Sequence, residues 1–237
     1  MIGRLGAGAA AALLTAYLAP AGTARPPLRH LTPALAGRGR PGGVALTFDD
    51  GPDEKGTPAV LAALAEQGWT ATFFLLGHQT RRRPDLARAV VAAGHEIAVH
   101  GDEHHNHLGR GPRWVIRDLI RATETITTAT GVRPRWFRPP YGVLTGASLC
   151  AARRARLRPV LWTGWGRDWE TRTPSQVIDV LRPSVRSGAT LLLHDGRGTG
   201  MPGSWRSTVA VLPLLAEEVD RRRLAVRSLG EHLSRPW

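Results

Sequence analysis

Short apolar runs alternate with amphipathic stretches along most of the chain. Val44–Phe48, Ala71–Leu76, Glu96–His100, Pro159–Trp162, Thr190–His194 and, more weakly, Leu224–Val226 predict strands. The early runs are apolar on both faces, the pattern of parallel strands covered by helices. Thr57-Pro58 and Thr173-Pro174 each place a capping hydroxyl before a proline suited to the first helical position. Pro112 opens a further helix, for which Gly131 supplies the stop. Helices are also expected over Asp85–Ala93, Thr145–Arg154 and Trp205–Arg222. Strand and helix alternate without internal repeat, which predicts a parallel α/β fold, either barrel or open sheet.

The N-terminal part breaks this rhythm. Arg4 precedes an uncharged stretch, Leu5–Ala21, with small residues at Ala19, Ala21, Gly22 and Ala24. Residues 1–24 are therefore expected to be a cleaved signal peptide or an uncleaved membrane anchor, and both place the remainder outside the cytoplasm. A buried helix fits less well, because no polar face interrupts the run. Residues 25–42 are rich in Pro, Gly and Arg without a period and read as a linker. Residues 43–237 form the expected domain, long enough to bury one sizeable core.

Charge changes the picture little. Thirty-two basic residues against 19 acidic ones give +13, nearly all from arginine. Such a surface suits an anionic cell-wall polymer, anionic lipid or nucleic acid. The basic clusters Arg81-Arg82-Arg83, Arg153-Arg154 and Arg221-Arg222-Arg223 lie far apart, however, and lack aromatic interleaving. The plain reading is a solvated surface, and no nucleic-acid partner is expected. Cys150 is the only cysteine, so an intramolecular disulfide and a CxxC metal site are both excluded.

Candidate chemistry gathers at predicted strand ends, where α/β folds place function. The first strand runs into Asp49-Asp50-Gly51-Pro52. Adjacent buried carboxylates need a cation or a shared proton, although the segment also reads as a simple turn. The third strand ends in His100, followed by His104, His105 and His107. The i, i+4 spacing of His100 and His104 can set two imidazoles on one side of a helical turn. His105 and His107 are rivals for the place of His104. Arg138-Pro139-Pro140-Tyr141 forms a stiff extended loop. His194-Asp195 ends a late strand and offers a general acid.

Taken together and in this order, the motifs resemble the polysaccharide deacetylase family, which shares the NodB homology domain and is also called carbohydrate esterase family 4. They are Thr47-Phe48-Asp49-Asp50-Gly51-Pro52, Gly94-His95-Glu96-Ile97 leading to His100-x-x-x-His104, Arg138-Pro139-Pro140-Tyr141, Trp162 through Asp168-Trp169, and Leu191-Leu192-Leu193-His194-Asp195. The resemblance implies a distorted (β/α) barrel with fewer than eight strands. It also implies a divalent metal, Zn²⁺ by preference, held by Asp50, His100 and His104. On the same basis Asp49 is the general base, His194 the general acid, and the Tyr141 N–H an oxyanion donor. Arg138 shapes the catalytic side.

The implied activity is removal of N-acetyl groups from an acetylated polysaccharide such as peptidoglycan or chitin. An O-acetyl esterase acting on xylan and a catalytically weak carbohydrate-binding relative are the alternatives. The chain departs from the pattern in two places. Trp165 stands where the family commonly has an aspartate supporting the acid histidine, which leaves Asp168 to take that role or His194 to find another partner. Gly101 stands where a hydroxyl residue is usual. Pro140, Tyr141, Trp165 and Trp205 are candidate sugar contacts, whereas core packing is the plainer reading of Trp162 and Trp169.

Overall fold

The first strand, β1 (Gly43–Asp49), is buried along its whole length and forms the axis of the fold. The computed structural model describes residues 11–12, 14–25, 28, 31–170, 172–196, 198 and 200–233. On one side of β1 follow β2 (Thr72–Leu75), β3 (Glu96–Val99), β4 (Trp136–Phe137) and β5 (Arg158–Pro159). On the other side lie β7 (Thr190–His194) and then β6 (Gly164–Trp165). Every pairing is parallel.

A short eighth strand, β8 (Ala225–Arg227), pairs with the first residues of β1. Ala45 faces Thr190 on one side and Arg227 on the other, so β8 lies below β2 and adds no further stave to the wall. Seven strands thus form a curled sheet with helices around it, the distorted (β/α) barrel with fewer than eight staves expected from the sequence.

Among the described residues that follow β1, the α-helices are α1 (Gly56–Gln67), α2 (Gly77–Arg82), α3 (Pro84–Ala92), α4 (Pro112–Thr130), α5 (Gly146–Ala155), α6 (Pro174–Leu181), α7 (Trp205–Arg221) and α8 (Leu229–His232). Gly131 ends α4 in the left-handed region, as its position in the sequence predicts. Thr173 caps α6 through a capping box with Gln176. Thr57 behaves otherwise. It lies inside α1, accepts from the Asp53 N–H at 2.7 Å and donates to Asp195 at 2.5 Å, binding two loops instead of capping a helix. The two-residue β4 and the six-residue α2 carry too little periodicity to be seen in advance.

Residues 32–41, which composition marks as linker, pack against the open side of the sheet. The Leu161 N–H donates to the Leu35 carbonyl at 2.7 Å, and Thr190 Oγ1 donates to the Gly37 carbonyl at 2.6 Å. Gly39 and Arg40 bond to Gly188 and His232, and Ala36 is buried. Gly37 has φ +72°, and a Cβ there would meet Thr190 Oγ1 at 2.8 Å. The segment therefore fills the gap between β5 and β6. Upstream, the Tyr17 hydroxyl donates to the Arg110 carbonyl at 2.8 Å. No helix among the described residues is long and apolar enough to cross a membrane, and residues 1–10 and 13 of the expected leader lie outside the described residues.

Gly37→Ala tests whether this segment belongs to the domain. Left-handed strain together with the Thr190 contact should lower unfolding free energy by ~1–3 kcal/mol in urea titrations. A free linker would show no change.

Candidate active site

Four strands, β1, β3, β4 and β7, deliver functional residues at their carboxyl ends. β1 ends in Asp49 and continues to Asp50, whose φ of +78° turns its carboxylate away from the strand direction. β3 ends immediately before His100, and β4 immediately before Arg138. β7 ends in His194, which lies directly beside Asp49 in the strand register. Parallel pairing alone thus converts residues scattered over about 150 positions into one cluster.

Asp50, His100 and His104 meet on one side. The Nε2 atoms of His100 and His104 lie 3.3 and 3.2 Å from Asp50 Oδ1, and one ligand atom of each residue fits within 4.8 Å of the others. Asp50 Oδ1 is buried without a hydrogen-bond partner. Two donors bound tetrahedrally to one ion at zinc–nitrogen or zinc–oxygen distances lie about 3.3 Å apart, so the donor set and its spacing both fit a divalent cation. His100 Nδ1 donates to the Arg138 carbonyl at 2.8 Å, which turns Nε2 towards Asp50. Burial holds the His104 imidazole neutral, with its pKa pushed down to about 4. Burial works against the Asp50 charge, but the surrounding imidazoles, His100 first, leave its pKa at about 2.

The His100–His104 segment departs from one expectation. It is an irregular loop and not a helical turn, with Gly101 at φ +105°. The rivals lie elsewhere. His105 pairs with Glu103 on the surface, while His107 is buried, bonded to Ser148 and stacked on Phe137.

Facing this triad are two groups with partners of opposite charge type: Asp49, held by a guanidinium, and His194, held by a carboxylate. Asp49 is buried, and its Oδ1 receives Arg138 Nη1 at 2.7 Å. Its Oδ2 points towards His100 Nε2, 3.8 Å away. His194 is held twice by Asp168: its N–H donates to Oδ2 at 2.7 Å and its Nδ1 donates to Oδ1 at 3.0 Å. Thr208 Oγ1 donates to the same Oδ2 at 2.7 Å. Burial disfavours the imidazolium, but the charge and hydrogen bond of Asp168, followed by Asp50 and Asp49, raise the His194 pKa to about 9.

Asp49, Asp50, His100, His104 and His194 line a hollow of about 330 Å³ walled by Tyr141, Trp162, Trp165 and Trp169. The tryptophans form a continuous ring chain, with centroids 5.9 Å apart for Trp162–Trp165 and 4.9 Å for Trp165–Trp169. Trp169 then meets His194 edge-on at 5.2 Å. Opposite, the Tyr141 ring lies 4.7 Å from that of His104, with its backbone at φ +60°. A second hollow of similar size shares Tyr141, Trp162 and Trp165 and extends to Arg38, Thr163 and Ser184. Trp162 is buried against Leu161 and Leu192, as the core reading has it, while also lining both hollows. Trp169 faces the groove, which the core reading missed. Pro140 is buried beneath the Tyr141 turn. Trp205 lines neither hollow; it packs by Gly56 under the Arg206 guanidinium.

A sequence profile of the family described as Polysaccharide deacetylase matches residues 36–160. A chitooligosaccharide deacetylase of Sinorhizobium fredii is 37% identical over 203 residues, covering 83% of this chain and 94% of its own. A peptidoglycan-N-acetylglucosamine deacetylase of Bacillus cereus is 33% identical over 194 residues, covering 80% and 87%. Among solved structures, the Bc1960 peptidoglycan N-acetylglucosamine deacetylase superposes with a TM-score of 0.77 at 25% identity, covering 84% of this chain and 92% of that one.

In the metal-free protein, Asp168→Asn should lower the His194 titration from about 9 to ~6.5 or below, because the main charge sustaining the imidazolium is gone. Ring ¹⁵N–¹H spectra across pH would show this. An unchanged midpoint would remove Asp168 as the cause.

Proposed function

The chain belongs to the polysaccharide deacetylase family, and on that premise we propose that it removes N-acetyl groups from an N-acetylglucosamine-containing polymer outside the cytoplasm. Peptidoglycan and chitin-type oligosaccharides are the substrate classes, Zn²⁺ is the metal, and the apolar leader directs export. The observation that carries the reading is the opposition, across one hollow, of a three-donor cation site and two separately supported proton-transfer groups.

Asp50, His100 and His104 would hold a divalent cation, which would supply Lewis acidity to the acetyl oxygen and to a water molecule. The protein residues do the rest. Arg138 engages one oxygen of Asp49 and leaves the other turned towards the triad, where it accepts the proton of the attacking water. The backbone N–H of Tyr141, whose ring lies over His104, takes the oxyanion-donor role that the family resemblance implies. His194 has its Nδ1 committed to Asp168, so Nε2 delivers the proton to the departing sugar amine. In the metal-free protein its pKa of about 9, sustained first by Asp168, keeps it charged at neutral pH, and the acid form is lost as pH rises through that value. Carbon–nitrogen cleavage then yields acetate and a free amino sugar.

The paired hollows support an oligomeric substrate over a single sugar. Trp165 and Tyr141 are 41% and 49% exposed where the hollows join, which suits stacking against a sugar face. An arginine-rich surface suits attachment near an anionic envelope polymer.

Acetate release from N-acetylglucosamine oligomers tests the proposal. Chelation should abolish release, and Asp49→Ala and His194→Ala should each lower kcat by ~10²–10⁴. Release from acetyl xylan alone would make the protein an O-esterase. Saccharide binding without release from any acetylated sugar would make it a binding relative. Trp165→Ala should raise KM for the longer oligomers by ~3–10-fold with kcat little changed, in line with the loss of one stacking contact.

A further inference from the structure

The segment between His100 and His104 has no regular hydrogen bonding of its own, yet it must hold His104 beside Asp50. Its two central peptide groups are gripped at both ends from outside. In the first, the Gly101 carbonyl accepts from the Gly77 N–H at 2.9 Å, while the Asp102 N–H donates to Asp118 Oδ2 at 3.0 Å. In the second, the Asp102 carbonyl accepts from the His78 N–H at 3.0 Å and from His78 Nδ1 at 2.8 Å, while the Glu103 N–H donates to Asp118 Oδ1 at 3.0 Å.

Asp118 is 6% exposed and lies in α4, outside every motif discussed above. Each of its oxygens takes one N–H, so the carboxylate fixes two successive peptide planes as a fork. Gly101 makes the approach possible, because a Cβ there would come within 3.0 Å of Asp118 Oδ2. The buried Asp102 side chain, paired with Arg81, anchors the same loop to α2.

We propose that Asp118 is a positioning residue for the metal site: it sets the path of the loop between two ligands and thereby the cation affinity. The inference rests on Asp50, His100 and His104 being the ligands. Asparagine keeps the size of the side chain but offers an NH₂ where an acceptor is required. One N–H then loses its partner, and His104 is no longer held in place before the ion arrives.

The experiment titrates Co²⁺ into the metal-free protein and follows the visible absorption of the bound ion. Asp118→Asn should weaken the Co²⁺ Kd by ~10–100-fold, the range found for residues that orient ligands. Asp118→Glu, which keeps both acceptors, should recover part of that loss. Ile126→Ala, in the core further along α4, should lower the metal-free Tm while leaving the Kd unchanged. Equal Kd values for the wild type and Asp118→Asn would overturn the inference, as would equal weakening by Ile126→Ala. If Asp118→Asn does not fold, Asp118→Ser, which cannot accept both N–H groups, replaces it, and a wild-type Kd for Asp118→Ser would overturn the inference. No Co²⁺ binding by the wild type, or binding unaffected by His104→Ala, would instead defeat the ligand assignment.

Discussion

The fold closes around one buried charge. The side chain of Arg138 is wholly inaccessible, and burying an uncompensated guanidinium would cost far more than any single contact returns. The barrel meets this by surrounding it with acceptors: Asp49 Oδ1 at 2.7 Å, Thr47 Oγ1 at 2.9 Å and the Leu161 carbonyl at 2.9 Å, with the Phe74 ring 4.0 Å from the guanidinium carbon. Burial pulls the Arg138 pKa down and the Asp49 charge pulls it back. The same residue's carbonyl takes the Nδ1 proton of His100. One position therefore orients both the carboxylate proposed as base and the imidazole proposed as ligand. Removing either member of the buried pair would leave the other uncompensated, at a cost of about 3–5 kcal/mol.

Around that fixed point, two histidines of the same intrinsic basicity are driven apart. His104 has burial without a direct carboxylate partner on its Nδ1, and its pKa falls to about 4. His194 is also buried, but Asp168 bonds its ring and its backbone, and its pKa rises to about 9. A neutral imidazole is what a cation needs and a charged one is what a departing amine needs. The division follows from which side chain each ring can reach, since both lie in the same hollow.

Much of this is legible in the sequence, because strand ends and charged motifs coincide. Asp49, Asp50, His100 and His194 each terminate an apolar run, and parallel pairing requires those ends to meet. Asp118 could not be read this way. It is an ordinary acidic residue within a helix, and its partners are backbone N–H groups that carry no side-chain signature. The helical reading of His100 to His104 failed for the same reason, since spacing does not reveal that neighbouring elements have taken over the loop's hydrogen bonds. Residues 32–41 misled through composition: Pro and Gly mark irregular backbone, which here fills a gap in a sheet instead of spanning solvent.

Trp165 shows how a departure from a motif is resolved by geometry. Its presence in place of an aspartate raised the question of what supports His194. The support comes from Asp168, a residue with no solvent exposure whose position Thr208 secures. Position 165 is instead at the rim, with its ring against Trp162 and Trp169 and 41% of its surface open. A carboxylate at that rim would add charge to the groove, whereas the indole extends an apolar wall from His194 into the second hollow. The substitution therefore bears on what the groove can hold, and it leaves the proton on His194 to Asp168.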